Sequence, residues 1–532
     1  MTTRTLGTIA VWVGIGTASL SGCAVGPDYT PPETATSGQF RSLSEAQTVS
    51  SRLVAGPARV DRWWASLADP MLDSLVERAV SANLDLRIAA SRLTEARALR
   101  GTVAAEQFPR VDAGAGYERY RSSENTSRGF RVEEDSSGAD SYRAGFDASW
   151  EIDLFGRVKR SVEAADADVA AAAETLSDVL VSLVAETARN YAELRAFQRR
   201  LAVTEFAIQT EQDTLALVEA RLKAGLATEL DVAQARTQLS GRRSQLPPLR
   251  VGVRRSSHRL AVLIGQEPGA LLDELAEARP IPPVPAEVAV GVPADLIRRR
   301  PDIRRSEREI AAATARVGVA TADLYPRFTL LGSFGLESGR FGDLFDLDSR
   351  RWSIGPSMSW PIFDGGRIRS TIRVRDAQLE QALLAYEKSV LVAFEEVENA
   401  MVSFIQEQGR RVSLSDAVDS STLAVELARE RYQNGLVDFL NVLDSQRLLY
   451  QAQDQLVLSE QTVTVELIAL FKALGGGWEP AGAGDGPSSQ PGAGLGAGLG
   501  AGLGAGLGAG RGGGPGGGDQ TPASDAIAMI VR

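Results

Sequence analysis

The chain repeats itself. Trp150-Glu151-Ile152-Asp153-Leu154-Phe155-Gly156-Arg157 returns as Trp360-Pro361-Ile362-Phe363-Asp364-Gly365-Gly366-Arg367, at an offset of 210 positions (150 to 360). The same offset carries Arg221-Leu222-Lys223-Ala224-Gly225-Leu226 onto Arg431-Tyr432-Gln433-Asn434-Gly435-Leu436. Upstream, Asp85-Leu86-Arg87 and Phe108-Pro109-Arg110 return as Asp302-Ile303-Arg304 and Tyr325-Pro326-Arg327, at an offset of 217 (85 to 302). The difference falls between Pro109 and Trp150, so one loop there is longer in the first copy. A unit this long is no solenoid repeat. It implies duplication of a half-protein and a pseudo-symmetric architecture.

The N-terminus reads as a processing signal. Arg4 precedes an apolar and small-residue run from Leu6 to Leu20, followed by Ser21-Gly22-Cys23. A charged start, a short apolar core and small residues at the cleavage point define a secretory signal. Leu20-Ser21-Gly22-Cys23 resembles the bacterial lipobox, which implies that Cys23 becomes the lipidated N-terminus. Ala24, rather than Asp, then favours the outer membrane. With one cysteine and one histidine, the chain has no intrachain disulfide and little material for a thiolate or multi-histidine metal centre. His258, between Arg255 and Arg259, reads as a helix-surface residue. A net charge of −11 argues against a general nucleic-acid binder. The carboxylate pair Glu133-Glu134 falls in an expected loop, and an enzyme reading finds no other support. From about Gly475 the chain is Gly-rich, and it cannot bury enough side chain to offset its ordering entropy.

After the signal, no apolar run is long enough to span a bilayer as a helix. Alternation points to strands instead. From Ser141 to Asp153, Tyr142, Ala144, Phe146, Ala148, Trp150 and Ile152 share one face, against polar or small residues. In the second copy Trp352, Ile354, Met358, Trp360 and Ile362 do the same, with a bulge expected at Pro356. Their partners precede them: Val111, Ala113, Ala115 and Tyr117 alternate in one, Phe328, Leu330, Phe334 and Leu336 in the other. Each half thus contributes a hairpin. Four strands cannot close a barrel, and open edges are forbidden in lipid, so the chain must oligomerise to span a membrane. Three copies supply twelve strands.

The rest reads as helix. Val158–Lys223 and Arg367–Asn434 lack proline and are dominated by helix formers. Each runs roughly 65 residues, about 100 Å at the usual rise. Each ends in a tight break, Gly225-Leu226-Ala227-Thr228 or Gly435-Leu436-Val437-Asp438, and a return helix of roughly 35–40 residues is expected after it. Glycine serves as C-cap there, and Thr228 or Asp438 can N-cap the return. Shorter helices, about Leu72–Gln107 and Pro293–Leu324, lead into the hairpins and stop at Phe108-Pro109 and Tyr325-Pro326.

These residues resemble the outer-membrane factors of tripartite exporters, the TolC-like channels, and within them the NodT-type lipoprotein branch. The likeness runs from Cys23 to about Trp478. It rests on Val25-Gly26-Pro27-Asp28-Tyr29, Arg299-Arg300-Pro301-Asp302-Ile303-Arg304, Trp360–Arg367 and Asp444-Ser445-Gln446-Arg447. It implies an α+β membrane protein. Each chain would give four β-strands to a trimeric twelve-stranded outer-membrane barrel. Its long helical hairpins, from two structural repeats, would build a periplasmic helical barrel. The implied partners are a periplasmic adaptor (membrane fusion protein), an inner-membrane pump of the RND type and outer-membrane lipid. No cofactor is expected beyond the lipid on Cys23, and no metal. The chain has no nucleotide-binding loop of its own, so transport energy would come from the pump.

The resemblance also assigns residues. Gly225, Leu226, Gly435 and Leu436 match the tips where an adaptor docks; a leucine beside a glycine offers an apolar knob and close backbone approach. Asp444 matches a constricting carboxylate of the periplasmic gate and Leu440 an apolar ring one turn away. Arg447 and Tyr432 match locking partners, and Asp231 is a weaker gate candidate. Three copies of Asp444 around an axis would repel one another and favour cations. The expected segments are 1–22 signal peptide, 23–69 lipidated N-terminal segment, 70–265 first repeat, 266–292 linker, 293–474 second repeat and 475–532 Gly-rich disordered tail. The function implied is a passive outer-membrane duct for drugs or other small molecules. A duct for protein secretion and a pore-less periplasmic coiled-coil lipoprotein are the alternatives.

Overall fold

The computed structural model describes residues 24–33, 38–43, 51–54, 56, 62–121 and 139–478. Cys23, Glu133-Glu134 and the Gly-rich segment from 479 onward lie outside the described residues. The chain forms two compact units, and each draws on both sequence repeats. One combines the N-terminal stretch ending at Gly38 with Arg92–Asp178 and Pro293–Glu395. The other combines Gln39–Ser91, Val179–Val292 and the chain from Glu396 onward.

In chain order the strands are β1 (Arg52–Val54), β2 (Arg110–Tyr120), β3 (Ala139–Ile152), β4 (Glu287–Ala289), β5 (Arg327–Ser338) and β6 (Arg350–Ser359). The helices are α1 (Pro70–Ala82), α2 (Leu84–Ala104), α3 (Arg157–Lys223), α4 (Glu229–Arg243), α5 (Leu246–Leu263), α6 (Pro293–Arg299), α7 (Pro301–Ala322), α8 (Arg367–Gln433) and α9 (Phe439–Ala473).

The first unit holds a four-stranded sheet in the order β2-β3-β5-β6, antiparallel throughout. The two hairpins of the two repeats therefore lie side by side, joined through β3 and β5. Register puts Val111, Ala113, Ala115 and Tyr117 opposite Ala148, Phe146, Ala144 and Tyr142, so the apolar sets expected from alternation share one face. Phe146 in turn faces Phe334, and Phe334 faces Trp352. On the other face Gly114, Gly145 and Gly335 stand in one register row. A Cβ at Gly145 would sit 2.7 Å from the Phe334 carbonyl oxygen, and one at Gly335 would sit 2.6 Å from that of Ala144. The two backbones approach too closely there for any side chain. Beside the sheet, Ile303 and Ile310 of α7 pack on Tyr386, Val390 and Ala393 of α8.

In the second unit β1 and β4 form a small parallel pair, and Ser51 exchanges hydrogen bonds with the Gln408 side chain of α8 (2.8 and 3.2 Å). The two helices of 67 residues, α3 and α8, contribute to both units.

Several expectations need correction. The helix expected over 72–107 breaks at Asn83, whose backbone is extended (ψ 133°). The buried Asn83 side chain accepts from the Leu86 amide at 3.0 Å and donates to the Leu263 carbonyl at 2.9 Å. An Asn cap of this kind stops one helix and starts the next. The helix expected over 293–324 breaks at Arg300 (ψ 122°), because Pro301 excludes the helical region from the residue before it. The return of the first hairpin is two helices, α4 and α5, since Pro247 and Pro248 bring no amide donors to continue the ladder. The second return, α9, has no proline and is unbroken. At Pro356 there is no bulge: Thr329, Leu330 and Leu331 pair with Ser357, Pro356 and Gly355 without a skip. β6 lies at the edge of this four-stranded sheet, a position where proline is tolerated. Trp360 and Ile362 lie past the end of β6 at Ser359.

Replacing Gly335 with valine should break the β3–β5 seam, at a cost of about 1–3 kcal/mol or more from overpacking. Valine at Gly355, where nothing crowds an added Cβ, should be tolerated. Yield of heat-resistant folded protein in detergent, measured for both variants, checks the contrast.

Candidate functional site

The two hairpin turns are built alike. Gly225 and Gly435 both have φ of 73°, the left-handed region that favours glycine. The Gly225 amide bonds the Leu222 carbonyl (2.9 Å) and the Leu226 amide that of Arg221 (2.8 Å). In the second copy Gly435 bonds Tyr432 (3.0 Å) and Leu436 bonds Arg431 (2.9 Å). This paired arrangement is the Schellman cap. It leaves Leu226 and Leu436 facing solvent, 65% and 72% exposed.

The return helices start differently. Thr228 and Asp231 form a reciprocal capping box: Asp231 takes the Thr228 amide at 2.8 Å, and Thr228 Oγ1 takes the Asp231 amide at 3.3 Å. Asp231 is thus committed to the start of α4. Asp438 makes no side-chain cap, and only its carbonyl accepts the Asn441 amide.

Behind the turns the hairpins share an apolar core. Val218 of α3, Val232 and Ala235 of α4, Tyr432 of α8, and Phe439, Val442 and Leu443 of α9 pack together. Tyr432 is buried, 5.3 Å from Phe439, with the Arg221 guanidinium 4.7 Å from its ring centroid. Burial raises its hydroxyl pKa while the neighbouring Arg221 guanidinium pulls it down, and no well-formed hydrogen bond reaches that oxygen from the described residues. Arg221 also donates to the Gln433 carbonyl (3.1 Å), tying the first turn to the second.

Leu440, Asp444 and Arg447 come together on α9. They line an open groove of about 460 Å³ against Leu230, Gln234 and Thr237 of α4. Asp444 and Arg447 pair within the helix, both more than half exposed. Leu440 is 60% exposed. Tyr432 lies in the core behind, and Asp231 is at the helix cap. Of the five expected gate residues, the structure brings these three into one stripe.

Sequence reading missed a buried polar seam above that core. Arg242, in the last turn of α4, pairs with Glu211 of α3 at 3.1 Å with both side chains buried. Its guanidinium also lies 3.4 Å from the ring centroid of Tyr450 on α9. Burial pushes the Glu211 carboxyl upward, against the pull of Arg242. Thr204 bonds Tyr450 (3.0 Å), Gln446 bonds Thr214 (3.0 Å), and Arg200 grips Asp454 with two bonds (2.7 and 3.1 Å). The signal was Gln446, Tyr450 and Asp454, polar residues at i, i+4 and i+8 on one helix face.

The sheet carries its own site, a membrane band. Trp150 and Trp360 donate their indole N–H groups to the carbonyls of Gln107 and Leu324 (2.9 and 3.0 Å), where the preceding helices end. Eight residues from Trp150 on the same face of β3 stands Tyr142, and Trp352 lies on that face of β6. That spacing spans about 26 Å along a strand, close to the apolar height of about 25 Å in outer-membrane barrels. At the start of the described residues, Val25–Tyr29 is clamped. The Val25 amide bonds the Phe155 carbonyl (3.1 Å), and the buried Arg160 donates to Asp28 (2.6 Å). Tyr29 donates to Glu307 (2.9 Å).

A sheet with an apolar, aromatic face and helix hairpins of this length defines a channel protein of an outer membrane. The comparisons agree. The sequence model of the outer membrane efflux protein family matches residues 75–266 and 292–476, and the chain belongs to that family. Nodulation protein T of Rhizobium leguminosarum bv. trifolii is 33% identical over 467 residues, 87% of this chain and 96% of that one. The toluene efflux pump outer membrane protein TtgI of Pseudomonas putida is 32% identical, over 86% of this chain and 96% of its own. Among solved structures, the outer-membrane channel OprN aligns with a TM-score of 0.79 at 38% identity, covering 86% of this chain and 99% of that one. The open state of the Neisseria gonorrhoeae MtrE outer membrane channel gives 0.73 at 26% identity, covering 86% and 98%. The chain is an outer-membrane efflux channel that extends into the periplasm. The family is one of ducts, not of enzymes.

Two substitutions test the core behind the turns. Tyr432→Phe should leave stability unchanged or slightly raised, because it removes a buried hydroxyl without a well-formed hydrogen bond. Tyr432→Ala should cost about 3–5 kcal/mol, as for a large aromatic lost from a core. Denaturant unfolding of the detergent-solubilised protein measures both.

Proposed function

We propose that this channel works as a homotrimer, the passive outer-membrane exit of a tripartite pump for drugs or other small molecules. Three four-stranded sheets would close as a twelve-stranded barrel, which removes every open edge from lipid. The helical hairpins would line the periplasmic duct. A periplasmic adaptor would seat on the two turns, and an inner-membrane pump of the RND type would supply the energy. The observation that carries this reading is the duplicated turn, the same cap twice with an exposed leucine each time. A Schellman cap often uses an apolar residue after the glycine to contact its own helix end, yet here both leucines remain largely exposed and open to a partner. The toluene efflux name of a relative supports small apolar cargo over protein secretion.

The stripe Leu440-Asp444-Arg447 is the proposed periplasmic gate, with Tyr432 holding α8 and α9 in place behind it and Asp231 confined to capping. Cys23 is the proposed lipid attachment site, and the clamped Val25–Tyr29 would hold the acylated end against the first unit.

Aspartate at both Leu226 and Leu436 should abolish rescue of drug efflux in cells lacking the channel while trimers still form. Efflux that survives intact would remove the turns as docking sites. Asp444→Ala and Arg447→Ala should each raise ion conductance of the closed channel in planar bilayers; unchanged conductance for both would remove the gate assignment.

A further inference from the structure

The β5–β6 turn, 340–349, holds large apolar side chains outward. Its sequence interleaves Phe341, Leu344, Phe345 and Leu347 with Asp343, Asp346 and Asp348. Only Leu344 is buried; Phe341, Phe345 and Leu347 are 63%, 73% and 72% exposed, comparable with Trp352 on the apolar face of the sheet at 74%. The turn is ordered by its own bonds. Two single-turn 3-10 helices, Phe341–Asp343 and Leu347–Ser349, frame it. Ser349 Oγ donates to the Asp343 carbonyl (2.7 Å), and Arg350 Nε donates to that of Leu347 (2.7 Å). Three exposed apolar side chains on a fixed scaffold are costly in water.

Their position says what covers them. All connections between the sheet and the helices leave from the opposite end of the strands: Pro109 into β2 after α2, Ile152 toward α3, Pro326 into β5 after α7 and Ser359 toward α8. Because the helices belong to the periplasmic side, this turn is on the outer side. Phe341 packs edge-on against Tyr142, centroids 5.6 Å apart, and Tyr142 lies 4.9 Å from Tyr117. Both tyrosines lie on the lipid-facing side of their strands and are register partners. The aromatic line therefore runs from the lipid face of the sheet directly onto the turn.

We propose that the β5–β6 turn is a lipid-docking segment, which seats Phe341, Phe345 and Leu347 at the acyl–headgroup boundary of the outer leaflet, beside the Tyr142 rim of the band. The interleaved aspartates stay at headgroup level, and the turn fixes the depth of the barrel. It is neither a lid over the channel mouth nor a free loop in water.

The test places a polarity-sensitive fluorophore on Phe345→Cys, and separately on Asp346→Cys, in the full-length channel reconstituted into vesicles. Wild-type protein taken through the same labelling sets the background. The expected result is a blue-shifted emission at 345, quenched by spin-labelled acyl chains and not by iodide. At 346, iodide should quench. Iodide quenching at 345 equal to that at 346 overturns the proposal in favour of a water-exposed loop. Protection at 345 from both quenchers overturns it in favour of cover by a neighbouring chain.

Discussion

A backbone amide or carbonyl without a partner costs several kcal/mol in hydrocarbon. The four-stranded sheet ends at β2 on one side and β6 on the other, so a row of such groups remains on each edge. Everything about the first unit is arranged around that obligation. The two hairpins of the duplicated sequence have already solved it once, at the β3–β5 seam, where eleven residue pairs run in unbroken register from Tyr142–Ser338 to Ile152–Phe328. The glycines at its middle allow the strands to close up tightly. The outer edges repeat the same demand on a larger scale, and the proposed trimer would meet it.

The repeated sequence motifs carry matching local structure elsewhere. Each repeat brings a helix that stops at a Pro, a hairpin with tryptophan at its base, a 67-residue helix and a glycine turn. Where the copies agree, both need the same backbone geometry: φ of 73° at Gly225 and Gly435, and an indole N–H spent on a helix-end carbonyl. Where they diverge, each has taken a separate task. Thr228-Asp231 secures the first return helix, while the second carries Leu440, Asp444 and Arg447 on its surface.

Most of this was legible in the sequence because it rests on periodicity and punctuation. Alternation placed the four strands, and Gly-Leu placed both turns. The breaks at Asn83 and Arg300 were also written there, in Asn83 before Leu84-Asp85 and in Pro301, yet helical composition on either side masked them. Pro356 misled for the converse reason. A proline disrupts a sheet only where its missing N–H was needed, and edge position is a tertiary property. The polar stripe on α9 was visible in the sequence, but its partners were hidden for the same cause. Arg242, Glu211 and Tyr450 are distant in sequence, and a charged residue on a helix reads as solvated until its neighbours are known. The candidate gate residues were named by resemblance, and only packing separates the groove-lining Asp444 from the capping Asp231.

The unequal return helices differ in continuity. α9 keeps one amide–carbonyl ladder over 35 residues, about 52 Å of rod. The corresponding path in the first repeat loses that ladder once, at Ser244-Gln245 ahead of the two prolines, while both residues keep helical backbone angles. The first return therefore has one place with fewer rungs to resist bending, and the second has none among the described residues.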